Sequence, residues 1–199
     1  SRKPWFIASG DQFRSTPPLP HDSVEFKKQI TITKNALSHI TEQQKQAVVF
    51  WAGGPGTKTP PGIWLDIADK YITEHAVALE KALLVRSLVA AAVADANTAV
   101  FDSKWTYWVR RPFMEDASIH TIMPTPNHPS YPAGHSTLSS AAVTILINYF
   151  PEARDKWTML GEEGGMSRIW GGIHYMQDHE AGELLGKEVA EVALQRTQQ

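Results

Sequence analysis

The chain has 199 residues, 42% of them hydrophobic and 20% charged, with a formal net charge of -2 at pH 7 and no Cys. That length suits one domain with a real core, and the charge argues against a protein that coats nucleic acid. The lack of Cys excludes disulfides, thiol catalysis and Cys-ligated zinc or iron–sulfur centres, so the eight His stand out among the remaining reactive groups.

Residues 1–22 read as an extended arm, with Trp5-Phe6 as a small apolar anchor and Thr16-Pro17-Pro18-Leu19-Pro20 held extended by proline. The arm has no core of its own and is expected to lie across a helical body formed by residues 23–199. Ser23 is placed to cap a short helix through Ile30. Thr41-Glu42 opens a second helix, with Ala47, Val48 and Trp51 at helical spacing and Ala52-Gly53-Gly54-Pro55-Gly56 ending it. A third starts around Pro60-Pro61 and carries Trp64, Ile67, Ala68 and Tyr71 on one face. From about Glu74 to Asp102 the chain is rich in Ala, Leu and Val without Gly or Pro, which predicts one long helix buried on several sides. Its most apolar part, Ala82 to Val100, contains Arg86 and Asp95, which argues against a membrane span. Residues 112–134 are Pro-rich and aperiodic, as in a long ordered loop. Ser136 to Tyr149 reads as a buried helix, and a helix from about Pro151 to Ile169 follows. Gly171-Gly172 breaks it before a last helix, about Asp178 to Leu194. No strand pattern or repeat interrupts this series, so the fold class is all-α, a helical bundle.

Three segments concentrate polar groups beside these helices. The first is Lys104 to Pro112, with Lys104, Arg110 and Arg111 at the end of the longest helix. Taken alone it also reads as a solvated helix end, where cations favour the C-terminal dipole. The second, Pro132-Ala133-Gly134-His135-Ser136-Thr137, opens a helix, with Ser136 or Thr137 as cap. Amides around Gly134 and His135 would then point out of a positive dipole end, an anion site in backbone form, or else this is a capped turn with an incidental His. The third runs from Ser167-Arg168 to His174 and Asp178. Six residues along one helix would put Arg168 and His174 on different faces, but the Gly pair permits a break that turns both into one pocket. Asp178 could then accept the His174 ring N–H and fix its tautomer. Together the segments suit a tetrahedral oxyanion rather than a bare divalent metal. There is no His-Glu-x-x-His, and Gly53 to Thr59 lacks the Gly-Lys-Ser/Thr of a nucleotide-phosphate cradle.

These segments resemble the three-part signature of the vanadium haloperoxidase and acid phosphatase superfamily, the phosphatidic acid phosphatase type 2 group. Its pattern is Lys, six residues, Arg-Pro; then Pro-Ser-Gly-His; then Ser-Arg, five residues, His, three residues, Asp. Lys104 with Arg111-Pro112 fits the first part, Pro132-Ala133-Gly134-His135 fits the second except at Ala133, and Ser167-Arg168, His174 and Asp178 fit the third. The order is right, with 19 and 31 residues between successive parts. Trp5 to Pro18 and Phe50 to Trp64 also resemble the bacterial haloperoxidase branch.

The resemblance implies a helical bundle with the oxyanion site in its core. Lys104, Arg111 and Arg168, with the Gly134 amide, would neutralise the oxyanion's oxygens. His174 would be the coordinating or covalent group, His135 the acid–base residue opposite it, and Asp178 the group that orients His174. With vanadate as cofactor, His174 is the ligand to vanadium, Lys104 polarises the oxidant, and the substrates are hydrogen peroxide and a halide. With a phosphate ester instead, His174 forms a phosphohistidine and His135 protonates the leaving alcohol. His128 and Phe101 fall where the haloperoxidases keep halide-pocket residues. A His at that place is similar to the bromide- or iodide-oxidising members, although His128 also reads as an ordinary loop His. The expected function is therefore a vanadium-dependent bromo- or iodoperoxidase. The alternatives are a soluble acid phosphatase, or an oxyanion-binding protein of weak activity. At Ala133 the family Ser hydroxyl is missing, and Ser130, Ser136 or a water could replace it. Nucleic acid and a membrane span are not expected, and an extracytoplasmic location is implied by the family only. Because the motifs lie toward the end of the chain, the protein is also expected to be the C-terminal half of a longer one, completed by a missing N-terminal segment or by a second copy in a homodimer.

Overall fold

In a computed structural model, residues 3–197 are described, and the regular structure among them is entirely helical. Helix α1 (Val24–Ser38) begins where Ser23 Oγ accepts the Phe26 N–H at 3.1 Å. It runs past the expected end at Ile30, because nothing in Thr31 to Ser38 breaks a helix. Thr33, in this extension, is buried and donates to the His174 carbonyl at 3.1 Å. Helix α2 (Glu42–Phe50) starts in a reciprocal capping box between Thr41 and Gln44, and α3 (Thr59–Glu74) carries Pro60 and Pro61 in its first turn.

The single long helix expected from Glu74 is corrected to a break followed by α4 (Leu79–Tyr107). At the end of α3 the Val77 N–H donates to the Ile72 carbonyl and the Ala76 N–H to Thr73, with Ala76 at φ 47°. This is a Schellman termination with Ala where Gly is usual, so the breaker signal is absent from the sequence. Within the Pro-rich loop, Pro112–Glu115 forms a short helix, α5. Then come α6 (Gly134–Tyr149), a 3₁₀ turn at Pro151–Ala153, α7 (Arg154–Trp170) and α8 (Met176–Thr197).

Helix α6 is the centre of the bundle and packs on α4, α7 and α8. Val85, Val89, Ala92, Val93 and Ala96 of α4 meet Ala141, Ile145 and Leu146 of α6 and Leu185 and Val189 of α8 in one apolar cluster. The crossing of α6 and α8 is backbone-close. A Cβ at Gly186 would lie 2.1 Å from the Thr137 carbonyl, and one at Gly182 would lie 2.6 Å from that of Ala133. Those glycines seat the start of α8, with Asp178, against the start of α6.

The segment Leu79–Glu115 is long and apolar enough to cross a bilayer by length and composition, so Arg86 and Asp95 do not exclude this as expected. Half of its most apolar window is buried inside the bundle. Asp95 is itself buried and accepts backbone N–H groups from Trp5, Phe6 and Ile7 at 2.8, 2.6 and 3.1 Å. The N-terminal segment continues along the bundle through an Arg14–Asp102 ion pair, Tyr107 Oη to the Ser15 carbonyl and Tyr131 Oη to the Thr16 carbonyl. Its apolar anchor is Ile7 with Phe6, whereas Trp5 is 72% exposed.

Candidate oxyanion site

Local chain geometry brings the three polar segments together. At the end of α7 the Ile173 N–H donates to the Arg168 carbonyl and the Gly172 N–H to Ile169, with Gly172 at φ 78°. This left-handed turn reverses the chain directly after Arg168. A cavity of about 940 Å³ results, with Lys104, His128, Gly134, His135, Arg168 and His174 on its wall beside Phe101. Arg111 lines a neighbouring cavity of about 590 Å³ and reaches His174 Nε2 at 3.4 Å. Asp178 stands behind His174 and is fully buried.

The solvated-helix-end reading of Lys104 and Arg111 fails, because both are buried; Arg110, their neighbour, stays exposed. Lys104 Nζ donates to the Pro129 and Ser130 carbonyls at 2.9 and 2.6 Å. Arg111 donates to the carbonyls of His128 and Ile173, and Arg168 to that of Val48 and to Ser167 Oγ. Among the described residues, none of the three has a carboxylate ion-pair partner. Lys104 and Arg168 thus face one cavity with Arg111 in the wall beside it, and among the described residues Asp178 is the one buried carboxylate next to them. Isolated charge in such surroundings is costly unless compensated.

The ionisable groups respond accordingly. Burial, then the Arg111 charge, holds Lys104 well below the ordinary lysine range. Burial lowers Arg168 to about 9 and Arg111 to about 10. Burial, aided by the cations, takes His135 down to about 3 and His128 to about 4, and holds His174 well below its usual value. Burial raises Asp178 above the usual carboxylate range, opposed by the hydrogen bonds from Ser130 and the Tyr175 N–H and by the Lys104 and Arg111 charges. A bound oxyanion would supply the missing negative charge and reverse the downward shifts. The donor set therefore fits vanadate or phosphate and suits a bare cation poorly.

His174 is neutral with a defined tautomer. Its Nδ1–H donates to Asp178 Oδ2 at 2.9 Å, and Nε2 accepts from Arg111. Asp178 Oδ2 also accepts from Ser130 Oγ at 2.6 Å and from the Tyr175 N–H at 3.1 Å. Ser130 is the site residue whose position the sequence did not reveal: it orients the orienter. His135 donates Nε2–H to the Trp51 carbonyl at 2.6 Å, which leaves Nδ1 as its only basic nitrogen. His128 packs edge-on against Phe101, with ring centroids 5.1 Å apart, and its Nδ1 lies 3.3 Å from Arg111 Nη2.

Two expectations at the start of α6 are corrected. Neither Ser136 nor Thr137 caps it; Ala133 takes the cap position without a side-chain acceptor. Thr137 Oγ1 turns back to the Ala133 carbonyl, and Ser136 Oγ pairs with His179 Nδ1 at 2.9 Å. With Ser130 held by Asp178, no serine proposed to replace the missing hydroxyl lines the cavity.

Residues 83–198 match the family model of the PAP2 superfamily. A solved bacterial vanadium-dependent iodoperoxidase superposes with a TM-score of 0.85 at 26% identity, covering 97% of this chain and 55% of that one. The bacitracin transport permease protein BcrC of Bacillus licheniformis is 25% identical over 104 residues, 52% of this chain and 50% of that protein. A non-specific acid phosphatase of Providencia stuartii is 36% identical over 56 residues, 28% of this chain and 23% of its own. The chain thus spans about half the length of the iodoperoxidase and of the permease protein.

Proposed function

The chain belongs to the PAP2 superfamily, and from that premise we propose that it is a vanadium-dependent haloperoxidase, oxidising bromide or iodide with hydrogen peroxide at a histidine-bound vanadate. The observation that carries this reading is the set of three buried cations without carboxylate partners around His174. The likeness to the iodoperoxidase over nearly the whole chain supports it further. We read residues 23–199 as the catalytic body and residues 1–22 as an arm strapped across it.

In this reading His174 Nε2 holds the vanadium and Asp178 keeps the opposite ring nitrogen protonated. Lys104, Arg111 and Arg168 neutralise the oxygens, with the Gly134 amide at the positive end of α6. Bound vanadate would supply a Lewis-acidic centre that activates peroxide toward halide. His135, with Nε2–H tied to Trp51, can take a proton only at Nδ1. His128 and Phe101 wall the side of the cavity where a halide would approach.

The second reading is an acid phosphatase, favoured by the match to the Providencia stuartii enzyme. Here His174 Nε2 attacks phosphorus as the ester P–O bond breaks. His135 protonates the leaving alcohol, and water then hydrolyses the phosphohistidine. The phosphate's own charge would raise His135 from its low value toward the range where it can donate.

One assay set separates the readings. The protein is reconstituted with vanadate and tested for peroxide-dependent bromination and iodination, and without vanadate for aryl phosphate hydrolysis. Halogenation abolished by excess phosphate is the expected result. Ester hydrolysis inhibited by vanadate, without halogenation, would replace it with the phosphatase. Silence in both assays with measurable oxyanion binding would leave a binding protein.

Two variants sharpen the test. Ala133→Ser is expected to tighten vanadate binding about tenfold or more, the worth of one hydrogen bond to a charged partner. Unchanged affinity in equilibrium dialysis would mean that the site does not need that hydroxyl. His128→Ala is expected to shift the bromide-to-iodide ratio of kcat/KM severalfold while KM for peroxide stays constant. An unchanged ratio would remove His128 from the halide pocket.

A further inference from the structure

On the far side of the first turn of α6, a second cluster of ligating side chains plays no part in the oxyanion site. His179 and Glu183 lie one turn apart on α8, and Glu162 faces them from α7. Their nearest ligating atoms all lie within 4.8 Å of one another. His179 Nε2 is 3.3 Å from Glu162 Oε2 and 3.6 Å from Glu183 Oε2. From these atoms we propose a divalent cation site of the zinc type, formed by His179 Nε2 and the carboxylates of Glu162 and Glu183.

The spacing supports this directly. Zinc holds nitrogen and oxygen ligands at about 2.0–2.2 Å, so neighbouring ligands of a tetrahedral centre stand roughly 3.3–3.6 Å apart. The two His–Glu separations fall on that edge length. The imidazole is the second observation. Its side chain is only 4% exposed, and its Nε2 points at the two carboxylates and nothing else. Its other nitrogen is held by Ser136 Oγ at 2.9 Å, the kind of outer partner that fixes the tautomer of a ligating His. The ring's space is built by the absence of a side chain at Gly165. A Cβ there would come within 2.5 Å of His179 Nδ1 and 2.9 Å of Ser136 Oγ.

Charge and access agree with a cation. Two carboxylates are drawn together here, and among the described residues neither has a Lys or Arg ion-pair partner. A divalent ion with one neutral imidazole and two carboxylates is electrically balanced. The Glu162 and Glu183 side chains are 54% and 43% exposed, which leaves a route for the ion and an open fourth position for water. The mixed nitrogen and oxygen donors favour zinc-like ions over magnesium or calcium, which take oxygen ligands. Bound there, the ion would tie α7 to α8 and, through Ser136, brace the turn that carries Gly134 and His135.

None of these ligands faces the oxyanion cavity, so the test is independent of halide or phosphate chemistry. The whole chain is stripped with a chelator and titrated with Zn²⁺ by calorimetry, and Co²⁺ is used as a spectroscopic probe. One equivalent of Zn²⁺ is expected to bind and raise Tm, and Co²⁺ is expected to show the intense visible bands of a tetrahedral site. E162Q/E183Q, confined to partly exposed side chains, should keep the helical circular dichroism and weaken Zn²⁺ at least about 100-fold. No saturable binding to the wild-type chain would overturn the proposal and leave His179 as a structural link between Ser136 and the two carboxylates. Equal affinity in the double variant would overturn it too, by placing the metal elsewhere.

Discussion

His174→Ala should lower turnover to about one thousandth of wild type or less, whether the reaction is halide oxidation or ester hydrolysis. Both chemistries need a lone pair at this position, and His174 Nε2 is the nitrogen prepared for it. Asp178 Oδ2 takes the opposite N–H at 2.9 Å, and Ser130 and the Tyr175 amide fix that carboxylate in turn. The other two His of the cavity wall are arranged differently. His135 is tied to Trp51 through Nε2, and His128 lies beside Arg111 through Nδ1. Neither has a carboxylate to orient it, so neither can substitute. Binding of a simple oxyanion should behave otherwise. Lys104, Arg111 and Arg168 are anchored by carbonyls and Ser167 rather than by His174. Sulfate, which does not itself titrate near neutral pH, should therefore bind His174→Ala within about tenfold of wild type, about 1.4 kcal/mol, since His174 has its N–H on Nδ1 toward Asp178 and no donor at Nε2 for the anion to lose. Lost turnover with retained sulfate binding assigns His174 to the chemistry. Retained turnover would overturn the assignment, and loss of both would mean that the variant site has collapsed.

That these cations and histidines come together was legible in the sequence because the information is local. Lys104 and Arg111-Pro112, Gly134-His135, and Arg168 to Asp178 are short windows whose residue types and spacings survive without knowledge of their neighbours. The Gly171-Gly172 break was legible for the same reason, and it does place His174 beside Arg168. Where partners lie far apart in the chain, local chemistry misleads. Ala76 takes the left-handed position that Gly usually marks, so the division between α3 and α4 left no trace. Ser130 looked like a spare hydroxyl for the anion, but its partner Asp178 lies 48 residues away. Ser136 looked like a helix cap, but its partner is His179 on another helix. Pairings across the bundle follow from the close crossing of α6 and α8. That crossing depends on Gly182 and Gly186, and the wheel pattern of either helix alone does not announce it.

Asp95 is the largest such case, and Asp95→Ala should be strongly destabilising. On the sequence it is a charge within an apolar helix. In the fold it is a buried carboxylate that collects three consecutive backbone donors from Trp5, Phe6 and Ile7. A hydrogen bond to a charged group contributes about 1.5–3 kcal/mol, and a buried donor left without a partner costs about 1–3 kcal/mol. These contributions are not additive, because a released arm can solvate its amides, so the net loss should be about 3–5 kcal/mol. Asp95→Asn, which keeps one carbonyl acceptor, should lose about half as much. Denaturant unfolding measures both, and amide exchange locates the cause. Phe6 and Ile7 should lose protection in Asp95→Ala while the amides of α6 and α8 keep theirs under native conditions. The effect should then reach the oxyanion site. The arm accepts the Tyr131 hydroxyl at the Thr16 carbonyl, and Tyr131 stands between Ser130, whose carbonyl holds Lys104, and the Pro132-to-His135 turn. With the arm loose, Tyr131 loses that tie, and sulfate affinity should fall severalfold although no cavity residue has changed. Protected Phe6 and Ile7 amides in Asp95→Ala would show that apolar contacts alone hold the arm. Full sulfate affinity with an exchanging arm would show that the Tyr131 turn keeps its shape without it.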